Sequence, residues 1–128
     1  MAKRRLEADY RNSDPTMIQI KEATFSELLV ISLIGSLDPD GALALKAYMQ
    51  PVLAREPKKL LFDLSQLDYT GSAGLREFFL AAKTVGRSGG KMAAFGMRKE
   101  VAHVFDLAGF ATTYPTPPTL AEAIEALA

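Results

Sequence analysis

The stretch Leu60–Lys83, LLFDLSQLDYTGSAGLREFFLAAK, changes its periodicity halfway along, and that change decides the fold. Its first part follows Lys58 and Lys59 and is a short apolar run of the kind that makes a buried strand, ending near Asp63 or Leu64. From Ser72 onward the apolar residues recur at helical spacing. Leu75, Phe78, Phe79, Ala82 and Val85 fall in one sector at about 100° per residue. The spacing predicts a helix from Ser72 to about Arg87, stopped by Ser88-Gly89-Gly90. Between strand and helix lies DYTGSAG, beyond the carboxyl end of a strand, where open α/β sheets place their functional loops.

Upstream, MIQIKEA alternates apolar and polar residues and LLVISLIG is rich in β-branched residues, so the two predict a hairpin across TFSE. DPDGALALKAYMQPVLAR opens with Asp38 as a cap and Pro39 in the first turn, and its Ala42, Leu45, Met49, Val52 and Leu53 make a buried face. Pro51 lacks an amide donor and predicts a kink or early end near Tyr48. Downstream, KMAAFGM is a strand and RKEVAHVFDLAGF a helix with Val101, Val104, Phe105 and Ala108 inward. Gly109 followed by Phe110 predicts a left-handed stop with an apolar clasp. A fifth short strand is expected near TTYP, and Thr119 with Glu122 has capping-box spacing for a last helix. The expected class is α/β: one domain over residues 16–128, a mixed, mostly parallel sheet of four to five strands, and about four helices. Residues 1–15 are expected to be a flexible leader.

Composition narrows the function. The 128 residues carry 15 basic and 15 acidic side chains, so no global field draws the chain to nucleic acid or an anionic membrane. No cysteine is present, which excludes thiolate metal sites and cysteine nucleophiles and fits a reducing compartment; the cytoplasm is expected. The N-terminus has no apolar signal-peptide core, and no later run is long enough to span a bilayer, so membrane insertion is not expected.

Ser72 does not fit catalysis. A nucleophile elbow needs glycine two before and two after the serine, whereas Gly71 stands immediately before it. The single histidine, His103, falls opposite the apolar stripe of its helix, away from any triad. GRSGGK lacks the spacing of a phosphate loop and opens a strand, so it is a turn. No metal-ligand cluster and no cofactor site are apparent. Two readings of Ser72 stay open on residue physics: a helix cap, or a switch whose phosphate the helix N-terminus would accommodate. Gly71 and Gly74 would leave a modifying enzyme an open approach. On the following helix Arg76, Leu80, Lys83 and Arg87 gather opposite the core stripe, a basic strip that suits an acidic partner or is ordinary solvated surface.

The segments LIGSLDPDGALAL, LLFDLSQLDYTGSAGLREFFLAAK, GGKMAAFGM and EVAHVFDLAGF, in that order and spacing, resemble the STAS domain of anti-sigma factor antagonists and sulfate transporter tails. The resemblance spans roughly Ile18 to Leu127. It implies that Ser72 is the serine phosphorylated by a partner anti-sigma factor, a serine kinase of the GHKL ATPase type. It also implies that the unmodified protein sequesters that partner and that a PP2C-type phosphatase restores binding. Asp38 matches a family acid beside the serine, and with Thr70, Gly71, Gly74, Arg76, Leu80 and Lys83 it makes up the expected partner surface. The chain departs from the Asp-Ser-Ser-Gly of many antagonists, having Gly71 and Ala73 around the serine. The alternative implied by the resemblance is an accessory subunit of a membrane lipid or anion transport assembly.

Overall fold

The computed structural model describes residues 18–128, so the expected leader and the boundary at residue 16 lie outside the described residues. Strands β1 (Gln19–Phe25) and β2 (Leu28–Leu37) form an antiparallel hairpin whose turn is only Ser26 and Glu27, tighter than the expected TFSE loop. Helix α1 (Pro39–Ala54), strand β3 (Lys59–Thr70), helix α2 (Ser72–Arg87), strand β4 (Lys91–Phe95), helix α3 (Lys99–Leu107) and helix α4 (Leu120–Ala126) follow. The sheet order is β1-β2-β3-β4, with β3 parallel to both β2 and β4.

Helices α1, α2 and α3 bury their apolar faces on one side of this sheet, against Leu29, Ile31, Leu33, Leu60, Phe62, Leu64 and Leu67. A run of rings ties the layers together. Phe62 of β3 meets Phe78 of α2 at 5.0 Å, Phe78 meets Phe105 of α3 at 5.2 Å, and Phe105 meets Phe110 at 5.0 Å. Such edge-on and tilted pairs each add about 0.5–1.5 kcal/mol beyond the area they bury. On the other face Ala123 and Leu127 at the C-terminal end of the chain cover Leu61, Ala93 and Phe95.

Strand β3 is longer than its hydrophobic pattern suggests. Its pairing with β2 shifts register twice, between Ser32 and Ile34 and between Gly35 and Ser36, and each shift gives β3 one extra residue. The extra residues convert a spacing of two into three, so Leu64, Leu67 and Thr70 all point inward while Ser65, Gln66, Asp68 and Tyr69 stay exposed. The strand therefore delivers the chain to Gly71 with no intervening loop.

Three further expectations are corrected. Helix α1 continues through Pro51 to Ala54; Pro51 and Ala47, whose carbonyl Pro51 has no amide to bond, both lie on the exposed side of the helix. Ala108 is exposed rather than part of the core, because α3 ends at Leu107 and Gly109 turns the chain in the left-handed region at φ 77°, sending Phe110 inward instead. No fifth strand forms at TTYP among the described residues. A 3-10 turn, Phe110–Thr112, occupies its start, and the following segment runs beside β4 with hydrogen bonds in one direction only. The amides of Ala94 and Gly96 donate to the carbonyls of Pro115 and Pro117 at 3.1 and 3.2 Å, and Pro117 has no amide to return.

Candidate functional site

Two chain turns meet at the carboxyl ends of β2 and β3. Gly71 donates its amide to the carbonyl of Leu37 at 3.1 Å, which holds the start of α2 against the start of α1. At the second turn Asp38 is the N-cap of α1, and its Oδ1 accepts the Gly41 amide at 2.7 Å. Asp38 is exposed, so its carboxylate both caps a helix and faces outward beside the α2 turn.

Ser72 is the first residue of α2 and is exposed. Gly71, not Ser72, is the N-cap, and no side chain caps the first turn. The Ser72 hydroxyl makes no hydrogen bond among the described residues. The capping reading of Ser72 is thereby removed: its hydroxyl has no structural employment and stands in solvent at the positive end of a helix of 16 residues.

The glycines and the threonine of this turn serve the interior. Thr70 is 2% exposed, and its Oγ1 donates to the Gly71 carbonyl at 3.0 Å, so it shapes the turn from inside rather than lining the outer surface. Gly74 is buried as well. A β-carbon there would stand 2.6 Å from Thr70 Oγ1 and 2.8 Å from the Leu37 β-carbon, so its bare α-carbon lets α2 close onto β2 and β3. It does not hold an approach open, as the sequence suggested. At Gly71 a β-carbon would come within 2.9 Å of the hydroxyl of the half-exposed Tyr69.

The basic strip of α2 divides. Arg76 and Leu80 line a groove between α1 and α2 of about 360 Å³, together with Ala73 and Glu77 from α2 and Pro39, Leu43 and Lys46 from α1. Lys83 is exposed a turn further along, outside the groove. Arg87 borders a different hollow, with Leu53, Glu56 and Thr84. Sequence reading missed Leu43 and Lys46. Both lie off the core stripe of α1, and a leucine off the stripe was the available signal; that it faces Leu80 depends on how two helices pack.

Among the described residues no group of three or more His, Asp or Glu is placed to hold a metal ion, and no helix is long and apolar enough to cross a membrane. His103 is exposed on α3, as its helical position indicated.

The STAS domain family model matches residues 17–123. A Bordetella bronchiseptica protein named as an anti-sigma factor antagonist, BtrV, is 30% identical over 88 residues, which is 69% of this chain and 76% of that one. The crystal structure of an anti-sigma factor antagonist from Mycobacterium paratuberculosis superposes with a TM-score of 0.81 at 28% identity, covering 91% of this chain and 98% of that one. SpoIIAA in its unphosphorylated form shares the fold, with a TM-score of 0.71 at 18% identity over 83% of this chain and 93% of that one. The four-stranded mixed sheet, the order of its elements and the matched residues together make this chain a member of the STAS domain family.

Proposed function

We propose that this chain is an anti-sigma factor antagonist, a protein-binding switch that holds an anti-sigma factor when Ser72 is unmodified and releases it when Ser72 is phosphorylated. The observation that carries the proposal is the state of Ser72: exposed, free of any capping role, and opening α2 directly beside the Asp38 turn. The named function of BtrV and of the Mycobacterium paratuberculosis protein supports the antagonist reading. SpoIIAA is described in both an unphosphorylated and a phosphorylated form, which supports modification as the control.

The chemistry is supplied by the partner. A serine kinase of the GHKL ATPase type transfers the γ-phosphoryl group of ATP to Ser72 Oγ, the serine proton leaves to a base of the kinase, and ADP departs. A PP2C-type phosphatase hydrolyses the ester back to serine. This chain contributes an accessible nucleophilic oxygen and a rigid frame. Phosphate adds about 1.5 to 2 negative charges and three acceptor oxygens, to which the free amides of the first α2 turn can donate without refolding. The control therefore lies in surface charge rather than in the fold. Action in the cytoplasm, without a cofactor, follows from this reading.

Affinity capture on this protein from its native cells tests the proposal. Ser72→Ala is expected to retain a soluble ATPase and Ser72→Asp to lose it. Capture of a transporter ATPase or permease by both variants alike would overturn the antagonist reading.

A further inference from the structure

The groove between α1 and α2 combines three features. Its walls carry Leu43, 65% exposed, and Leu80, 45% exposed, each presenting a large apolar side chain to water. Its rim carries Lys46 and Arg76, neither of which makes an ion pair or hydrogen bond among the described residues. One end is Ala73, the residue after Ser72, and Pro39 of the same lining follows Asp38.

We propose that this groove seats an amphipathic helical segment of the partner that carries acidic residues, and that phosphate on Ser72 expels it by taking over Arg76. The inference rests on the switch reading above and adds the element that is bound and the residue that senses the phosphate. An apolar lining flanked by two cations that have no partner among the described residues matches a helix with leucine-like side chains on one face and carboxylates along its edges. Lys46 and Arg76 outnumber Glu77, the groove's own carboxylate, so the lining as a whole favours an acidic segment over a basic one.

The coupling follows from helical spacing. Arg76 is four residues after Ser72 on α2, so a phosphate on Ser72 and the Arg76 guanidinium are neighbours on one face. The guanidinium forks onto phosphate oxygens in a charge-assisted pair. Arg76 is then neutralised where the partner's carboxylate would sit, and the remaining phosphate charge repels that carboxylate. Leu43 and Leu80 are untouched by the modification, so the apolar lining survives while its electrostatic match is lost.

The test uses the full chain, ¹⁵N-labelled, with serine or genetically encoded phosphoserine at position 72. The probe is a synthetic, fluorescently labelled amphipathic helix with leucines on one face and glutamates beside them; its glutamate-to-lysine counterpart is the control. The expected result is that the glutamate peptide shifts the amides of Leu43, Ala73 and Leu80. Its binding should weaken at least tenfold in Leu43→Ser, in Leu80→Ser and in the phosphoserine protein, and fall with added salt. In Arg76→Gln binding should be weak with either form of residue 72, the difference between them having collapsed.

Several results would overturn the proposal: no binding at millimolar peptide, equal binding of the lysine peptide, shifts confined to another surface, or groove shifts that grow with protein concentration alone and so reveal a second copy. Capture of the native ATPase separates this inference from the switch reading. If Leu43→Ser and Leu80→Ser still hold the ATPase while Ser72→Asp releases it, the groove assignment fails and the switch stands. If the groove variants release it and Ser72→Asp does not, the groove stands and the switch fails.

Discussion

The α-carbon of Gly74 passes Leu37 so closely that a β-carbon on it would stand 2.8 Å from the Leu37 β-carbon. Helix α2 is held at that distance, with Gly71 bonded to Leu37 on one side and Phe78 packed on Phe62 on the other. Ser72 is thus carried on a helix whose position is fixed by the core.

Replacing Gly74 by alanine must push α2 away from both Leu37 and Thr70. Overpacking of this kind costs about 1–3 kcal/mol. Chemical denaturation of Gly74→Ala is expected to show a fall in stability in that range. A variant as stable as the parent would mean that α2 is not held against β2 as described.

Ser72→Ala, two residues away, is expected to change stability by less than about 0.5 kcal/mol, because the hydroxyl caps nothing. A loss of about 1 kcal/mol or more, the usual value of a serine cap, would restore the capping role that the structure denies it. The comparison needs only thermal or urea unfolding of two proteins.

Asp38 caps α1, and a pair of substitutions separates that role from the partner contact proposed for its carboxylate. Asp38→Ala removes the bond to the Gly41 amide and should cost about 0.5–2 kcal/mol. Asp38→Asn keeps a capping oxygen, so its stability should stay near that of the parent while its charge is lost. Weakened partner capture by a stably folded Asp38→Asn assigns the carboxylate to the partner surface; undiminished capture would leave it as a cap alone.

Phe105 links the α2 ring of Phe78 to Phe110 and is fully buried. Phe105→Ala should cost about 3–5 kcal/mol, near the limit of what a domain of this size withstands. A small effect in urea unfolding would contradict the ring run as the tie between α2 and α3.

The starts of the helices and most of their inward faces could be read from the sequence because each rests on a local period: the stripe of α2, the Asp38 and Thr119 caps, and the Gly109 stop all appear where the residues indicate, while the reach of α1 past Pro51 and the outward place of Ala108 do not. Strand β3 was legible only to Leu64, since its next inward residues come at intervals of three. That interval depends on extra residues accommodated against β2, a relation between two strands that no single segment encodes. The segment after Phe110 misled for a related reason: its residues suit an extended chain, but Pro117 cannot complete a ladder. At the candidate site, the place of Ser72 at the start of α2 and the cap at Asp38 could be read from position, whereas the inward roles of Thr70 and Gly74 and the outward facing of Leu43 came from packing between elements.

Reversible phosphorylation of Ser72, as proposed above, is tested most directly by intact-mass spectrometry with site localisation on the protein from its native cells, beside Ser72→Ala. The account predicts one phosphate, located on Ser72, whose occupancy changes with growth or stress and which is absent from the variant. A protein carrying no phosphate on Ser72 under any of those conditions would contradict it.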